Sequence, residues 1–450
     1  MAVEQYRGKF GRAQAERLLW RLGFGPRRGE IARFAGLGLD RAVAALIDPI
    51  GPTVLDGRAP VLEGGTPLDP VRTRNHEQLW WLDRITRVNH PFRERMTLIW
   101  HDWFATSNTG VGGQRVMLEQ NRTIRRLATG SFPDLLLAMT RDPAMLVWLS
   151  GNRNTRLSPN ENYAREMMEL FTLGAGARYT ESDVREQSRA LTGWRSLWDA
   201  DGYYGAAFDP ARHDTGLKTV FRKRGSLDWA DACRLCIEHP DHPRFFVTKL
   251  WSYFVPTPPS NSTASSLTEV YLGNGRQVLP VVRAIVKHPD LFSGPRMVKS
   301  PILFLAGLMR LRGASVNSSR LLEVMRDAGQ SLFYPPSVAG WDDAAWLNTH
   351  TFHGRWEAAR SVAERESLNP HDPVTRAKIN PRETARSAVS GALAYWDKPL
   401  VGPETTLALT QFAQRCQDQA DADWERTYYR IMRTNALRTL IAVSPEMQTC

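Results

Sequence analysis

Apolar residues recur along most of this chain at three- and four-residue spacing, and few stretches alternate with the two-residue period of a strand. Residues 12–22 read as an amphipathic helix that ends at Gly23 or Gly25, with Pro26 just beyond. Two short helices follow within 28–47, broken at Gly36 and Gly38. A helical pattern resumes near Glu77 with Leu79, Trp80, Leu82 and Ile85, and Pro91 opens the helix that carries Arg93, Arg95, Trp100 and His101. Further helices are predicted at 114–128, 133–140, from a Thr180 cap to a point before Trp194, and at 228–238, 242–254, 276–288, 301–312 and 319–329. The last are placed at 355–366, 381–393, 405–419 and 424–442. Gly, Pro and Ser clusters predict long loops near 49–72, 196–226, 256–266 and 334–351. The second of these, with its aromatic residues, has room for a small hairpin. The predicted fold is mainly α: a large multi-helix globular domain with long irregular loops and at most a small β-hairpin. Residues 1–400 form the main helical domain in this reading, and the helices of 401–450 pack back on it.

The most strongly marked segment is 158–174. Ser158 suits an N-cap, Pro159 the first helical position, and Glu161 the acid of a capping box. Gly174 supplies a left-handed stop. Successive 100° steps place Tyr163, Ala164, Met167, Met168, Leu170 and Phe171 on one apolar face. Glu161, Asn162, Arg165, Glu166 and Glu169 gather on about a third of the remaining surface. That arc reads either as a wet face with an i,i+4 pair of Arg165 and Glu169, or as an enclosed acid cluster whose repulsion raises a carboxyl pKa. His101 lies in Trp100-His101-Asp102-Trp103, an imidazole and a carboxylate between two indoles, a setting that moves a histidine pKa. His213 and Asp214 fall in the irregular 196–226 loop, where functional groups gather, and where a turn stabilised by Asp214 is the alternative. Histidines converging with Glu166 and Glu169 would make a divalent-metal site, but the chain has neither a His-Glu-x-x-His nor a Glu-x-x-His pair.

Composition narrows the class. With 42% hydrophobic and 23% charged residues the chain is an ordinary folding sequence, and no apolar run reaches the roughly 20 residues of a membrane span. No secretory or twin-arginine signal is visible at the start, so the sequence as written predicts the cytoplasm. The formal charge of +11 comes mainly from arginine, which permits an anionic partner, yet the basic residues are dispersed and no specific nucleic-acid motif accompanies them. Fifteen tryptophans provide walls for a core or for a pocket. Cys233 and Cys236 share one helical face without a second pair, so they read as packing thiols rather than zinc or redox ligands.

Several blocks resemble the bacterial "domain of unknown function 1800" family: 160–174, 179–184, Leu191-Thr192-Gly193-Trp194, 17–26 and the Trp100-His101 motif at 100–107. Lys249-Leu250-Trp251, Gly329-Gln330, 335–341 and 444–447 resemble the family's later blocks. The resemblance implies no assigned activity. Members of that family are often exported, in contrast with the absence of a signal here.

Two functions compete. The first is a hydrolase in which Glu166, Glu169, Arg165 and His101, or His213 with Asp214, converge in a Trp-lined cleft, with one carboxylate as base or nucleophile. Its substrate would be a polysaccharide or another anionic or flat ligand. The second is a non-catalytic binding or assembly protein whose polar residues lock helices together and which takes a protein partner. The first requires His101 or His213 within side-chain reach of Glu166 or Glu169.

Overall fold

The computed structural model describes residues 3–380 and 382–450. Met1, Ala2 and Pro381 lie outside the described residues, so the helix expected from residue 381 can be followed only beyond it, where it runs Ala385–Tyr395. Helices make up 58% of the structure, against two small two-stranded antiparallel sheets. No helix among the described residues is long and apolar enough to cross a membrane.

Two apolar clusters fill the interior. The first joins the N-terminal helices to residues 124–292, and the second gathers Trp81, residues 302–341 and the C-terminal helices. The Phe92–Trp103 helix runs along their border: Met96, Ile99, Trp100 and Trp103 belong to the first cluster and Leu98 to the second. Both indoles of that helix also donate outward, Trp100 Nε1 to Ala128 O at 2.7 Å and Trp103 Nε1 to Phe171 O at 3.1 Å. The organising element is therefore this helix, more than the one at 158–174.

The Pro301–Arg312 helix is buried on almost every side, as a sequence apolar all round requires. Ser300 caps it by accepting from Leu303 N–H at 3.2 Å, and Gly313 ends it at φ +63°. The chain end is tied in beside it. Met297 and Cys450 exchange backbone hydrogen bonds of 2.9 Å, and Lys299 N–H donates to Gln448 O at 2.9 Å.

The expected loops are present with three differences. The 196–226 segment holds two hairpins, Trp194–Asp199 with Gly202–Phe208 and Lys218–Val220 with Lys223–Gly225. The 256–266 loop stops early, because Ser260 accepts from Thr263 N–H at 3.1 Å and caps a helix, Asn261–Gly273, that the pattern hid behind a polar first turn. The 334–351 loop contains a short 3-10 turn, Asp343–Trp346.

Candidate functional site

The marked segment starts later than its sequence suggests. Asn154 Oδ1 accepts Asn160 N–H at 2.9 Å and the 155–158 turn closes on itself, so the helix begins at Asn162, with Glu161 rather than Ser158 at its cap. From Met167 it widens into a π-helical turn, Met167–Thr172, with Leu173 N–H donating to Met168 O at 2.8 Å. The last carbonyls are claimed by side chains: Leu170 O by Lys249 Nζ at 2.8 Å, Phe171 O by Trp103, and Thr172 O by His242 Nδ1 at 2.9 Å. Gly174 has φ +94°, and a Cβ there would meet Phe245 at 2.8 Å, so the left-handed stop is real.

This widening changes the polar arc. Arg165 does not pair with Glu169; it bridges Glu161 at 3.2 Å and Glu181 at 2.7 Å. Glu166 and Glu169 are half-buried neighbours with no hydrogen bond or ion pair among the described residues. Burial, then the charge of Glu169, raises the Glu166 carboxyl.

The expected convergence of a histidine on these acids is not found. His101 points to the other side of its helix. It is fully buried, edge-on to Trp81 at 5.2 Å and to Phe333 at 5.6 Å, with Trp341 at 5.7 Å, and neither ring nitrogen has a partner among the described residues. Burial lowers its pKa to about 3, so the ring is neutral. His213 Nδ1 donates to Thr192 O at 2.9 Å, and its ring rests on Phe208. Asp214 is gripped by Arg189 at 2.7 and 3.2 Å and accepts Gly216 N–H, which holds its carboxyl below the usual range. That is the stabilised-turn alternative. Among the described residues, no group of three or more His, Cys, Asp or Glu side chains is placed to hold a metal ion. Cys233 and Cys236 are buried, with Thr140 Oγ1 and Gln187 Nε2 on their sulfurs at 3.1 and 3.3 Å, and burial pushes both thiols up to about 12.

A different set of polar groups meets in a narrow cleft of about 40 Å3 between the Phe92–Trp103 helix and the 334–351 loop. Asp102, next to His101 but one helical step around, looks into it. Its Oδ1 accepts Trp341 N–H at 2.8 Å and its Oδ2 accepts the Tyr253 hydroxyl at 2.7 Å. Gly340 makes this approach feasible: it sits at φ +95°, and a Cβ there would fall 2.3 Å from Asp102 Oδ1. Burial raises the Asp102 carboxyl, and its two donors and Lys249 oppose the rise. Lys249 lies over the Trp103 ring at 4.5 Å, and burial lowers its pKa to about 8.

Arg95 is one side of the same cleft. Its guanidinium is buried, with only long contacts to Arg21 O at 3.4 Å and Tyr253 O at 3.5 Å, and no carboxylate lies within ion-pair distance among the described residues. Burial lowers its pKa to about 10. Asp343, on the short turn at the rim, makes no hydrogen bond through its carboxyl among the described residues. Surrounding protein atoms, then the charge of Asp102, push it up to about 6 against the pull of Arg95. The residue is otherwise open to solvent, so the coupling to Asp102 and Arg95 matters more for chemistry than the amount of the shift. Gln330, which fixes Ile302 N–H at 3.0 Å, and Trp346 complete the lining.

Sequence reasoning named Asp102 only as the companion of His101, and passed over Arg95 and Asp343. One signal was available: the 335–341 block combines Pro, Gly and Trp in the manner of a fixed loop, and such loops position polar groups. Comparison with known families matches residues 17–449 to one described as "Protein of unknown function (DUF1800)". No curated protein and no solved structure matches the chain.

Proposed function

We propose that this chain, which belongs to the DUF1800 family, is a hydrolase for an anion-bearing substrate, working in the Asp102–Asp343 cleft. The carrying observation is Arg95: a buried guanidinium with no carboxylate partner among the described residues, lining the same cleft as Asp102 and as Asp343, whose ionisation the charge of Asp102 disfavours. An unpaired buried charge costs several kcal/mol, and an incoming anion would offset that cost. Arg95 would seat the anionic group of the substrate. Asp102, whose two hydrogen bonds favour its charged form, is suited to take a proton from the attacking water. Asp343, free of hydrogen bonds and protonated at mildly acidic pH, is suited to give one to the leaving group. Trp346 offers a flat wall for the remainder of the ligand.

The assembly reading is supported elsewhere in the molecule. Arg165 with Glu161 and Glu181, and Arg189 with Glu186 and Asp214, are saturated pairs that join neighbouring elements. For those residues a structural role is the better fit.

The test is a panel of chromogenic carboxylate-bearing esters, phosphoesters and glycosides assayed between pH 4 and 9. Turnover with a titration near 6 that vanishes in Asp343→Asn, and a raised KM in Arg95→Lys, is expected. Turnover unchanged in both variants would sink the assignment.

A further inference from the structure

Behind the second core, the 49–72 loop is strapped to the end of the His76–Arg87 helix. Asp56 N–H donates to Arg87 O at 3.0 Å, and Asn89 N–H donates to Val54 O at 3.1 Å. The strap walls an open cleft of about 520 Å3 whose lining contains four guanidiniums, from Arg27, Arg58, Arg87 and Arg310, against one carboxylate, Asp56. Two of the four are committed. Arg27 pairs with Asp56 and donates to Arg87 O and Val88 O at 2.8 and 3.1 Å. Arg87 grips Asp83 with both arms and donates from Nη1 to Asp56 O and Gly57 O. Glu30 accepts Arg27 N–H at 2.7 Å and pairs with Arg33.

The other two are not neutralised. Arg310 is buried, and its Nη1 closes the His76–Arg87 helix by donating to Ile85 O, Thr86 O and Val88 O at 3.2, 3.2 and 3.0 Å. Its Nε is buried without an acceptor, its Nη2 has no protein acceptor among the described residues, and no carboxylate lies within ion-pair distance. Arg58, at the tip of the strap, is exposed and forms no ion pair among the described residues. Arg310, with Nη2 uncommitted, and Arg58, with its whole guanidinium uncommitted, therefore line the same cleft.

We infer that this cleft binds a phosphate-bearing ligand. A single carboxylate would neutralise only one guanidinium. A phosphate monoester or inorganic phosphate carries close to two charges near neutral pH and at least three strong acceptor oxygens, enough for Arg310 Nη2 and the Arg58 fork together. Arginine's fixed geometry suits those oxygens better than a lysine would. The site is separate from the Asp102 cleft: the Pro301–Arg312 helix runs between them, with Ser300 and Leu303 lining one and Met309 and Arg310 lining the other.

Isothermal titration with inorganic phosphate and, separately, with phosphoserine tests this in the full-length protein at fixed ionic strength. Saturable binding that weakens roughly tenfold or more in Arg58→Glu, and that persists in Arg95→Lys, is the expected result. Tighter binding of phosphoserine identifies a monoester, and equal or tighter binding of phosphate identifies the free ion; either is the inferred chemistry. Arg58 is exposed, so its variant should fold. Arg310→Gln adds a second arm, read only if its melting temperature shows a folded protein. No saturable binding of either probe, or binding equal in wild type and Arg58→Glu, overturns the inference.

Discussion

At the residue scale, chemistry and structure part company between two neighbours. His101 looked like the reactive half of the Trp100–Trp103 motif, yet it is the buried one, whereas Asp102 faces the cleft. Position along a sequence fixes neither; a helical step of 100° separates them, and only packing decides which side is closed. Burial lowers the folded-state pKa of His101 to about 3, so its contribution to stability is present above the unfolded value of about 6.5 and is lost as pH falls toward 3. His101→Phe removes that dependence together with two unpartnered nitrogens. The variant should be at least as stable as wild type at pH 7 and gain relative stability below pH 6, measured by urea denaturation. A loss of more than about 2 kcal/mol at pH 7 would show a polar role for the ring. Gly340 makes the opposite case. Gly340→Ala places a side chain at φ +95° and against Asp102, and should cost about 1–3 kcal/mol. A melting temperature equal to wild type would mean that the loop yields easily and does not hold Asp102.

At the element scale, helices were legible because a three- to four-residue apolar period survives in nearly all of them. What escaped was local. The Asn261–Gly273 helix begins with Ser and Thr, which resemble a loop, and the Met167–Thr172 turn is π-helical, a state no residue pattern announces. The pair of Arg165 and Glu169 that regular spacing predicts does not form across that turn; Arg165 goes to Glu161 and Glu181 instead. Thr172 helps to hold it, with its hydroxyl donating to Met167 O at 2.5 Å. Thr172→Val keeps the volume and deletes that bond, and should cost about 1 kcal/mol in the urea midpoint. No change would show that the carbonyls claimed by Lys249, Trp103 and His242 hold the turn without it.

At the scale of the whole molecule, the mainly α class and the family resemblance were readable from one end to the other, but the proposed site was not. It joins residues 95, 102 and 343, far apart in sequence, through a loop whose apolar and polar residues have no periodic signal. The chain end is bound into the same body. Lys299, fully buried over the Trp20 ring at 3.7 Å, donates to Met447 O at 2.8 Å, and Arg355 donates to Gln448 Oε1 at 3.0 Å and to Lys299 O at 2.7 Å. Deleting residues 445–450 leaves the Lys299 charge buried without its acceptor. It should destabilise the protein by about 3 kcal/mol or more in thermal and urea unfolding. A deletion variant as stable as wild type would show that the end is merely laid against the surface.

The functional reading stands on the coupling of Asp343 to Asp102 and Arg95, which carboxyl-carbon NMR can follow without any substrate. Asp343 should titrate near 6 in the wild type, fall in Asp102→Asn when the like charge is removed, and rise in Arg95→Gln when the opposing charge is lost. An Asp343 that titrates near the ordinary aspartate value of about 3.9, and that responds to neither substitution, would contradict the acid–base cleft.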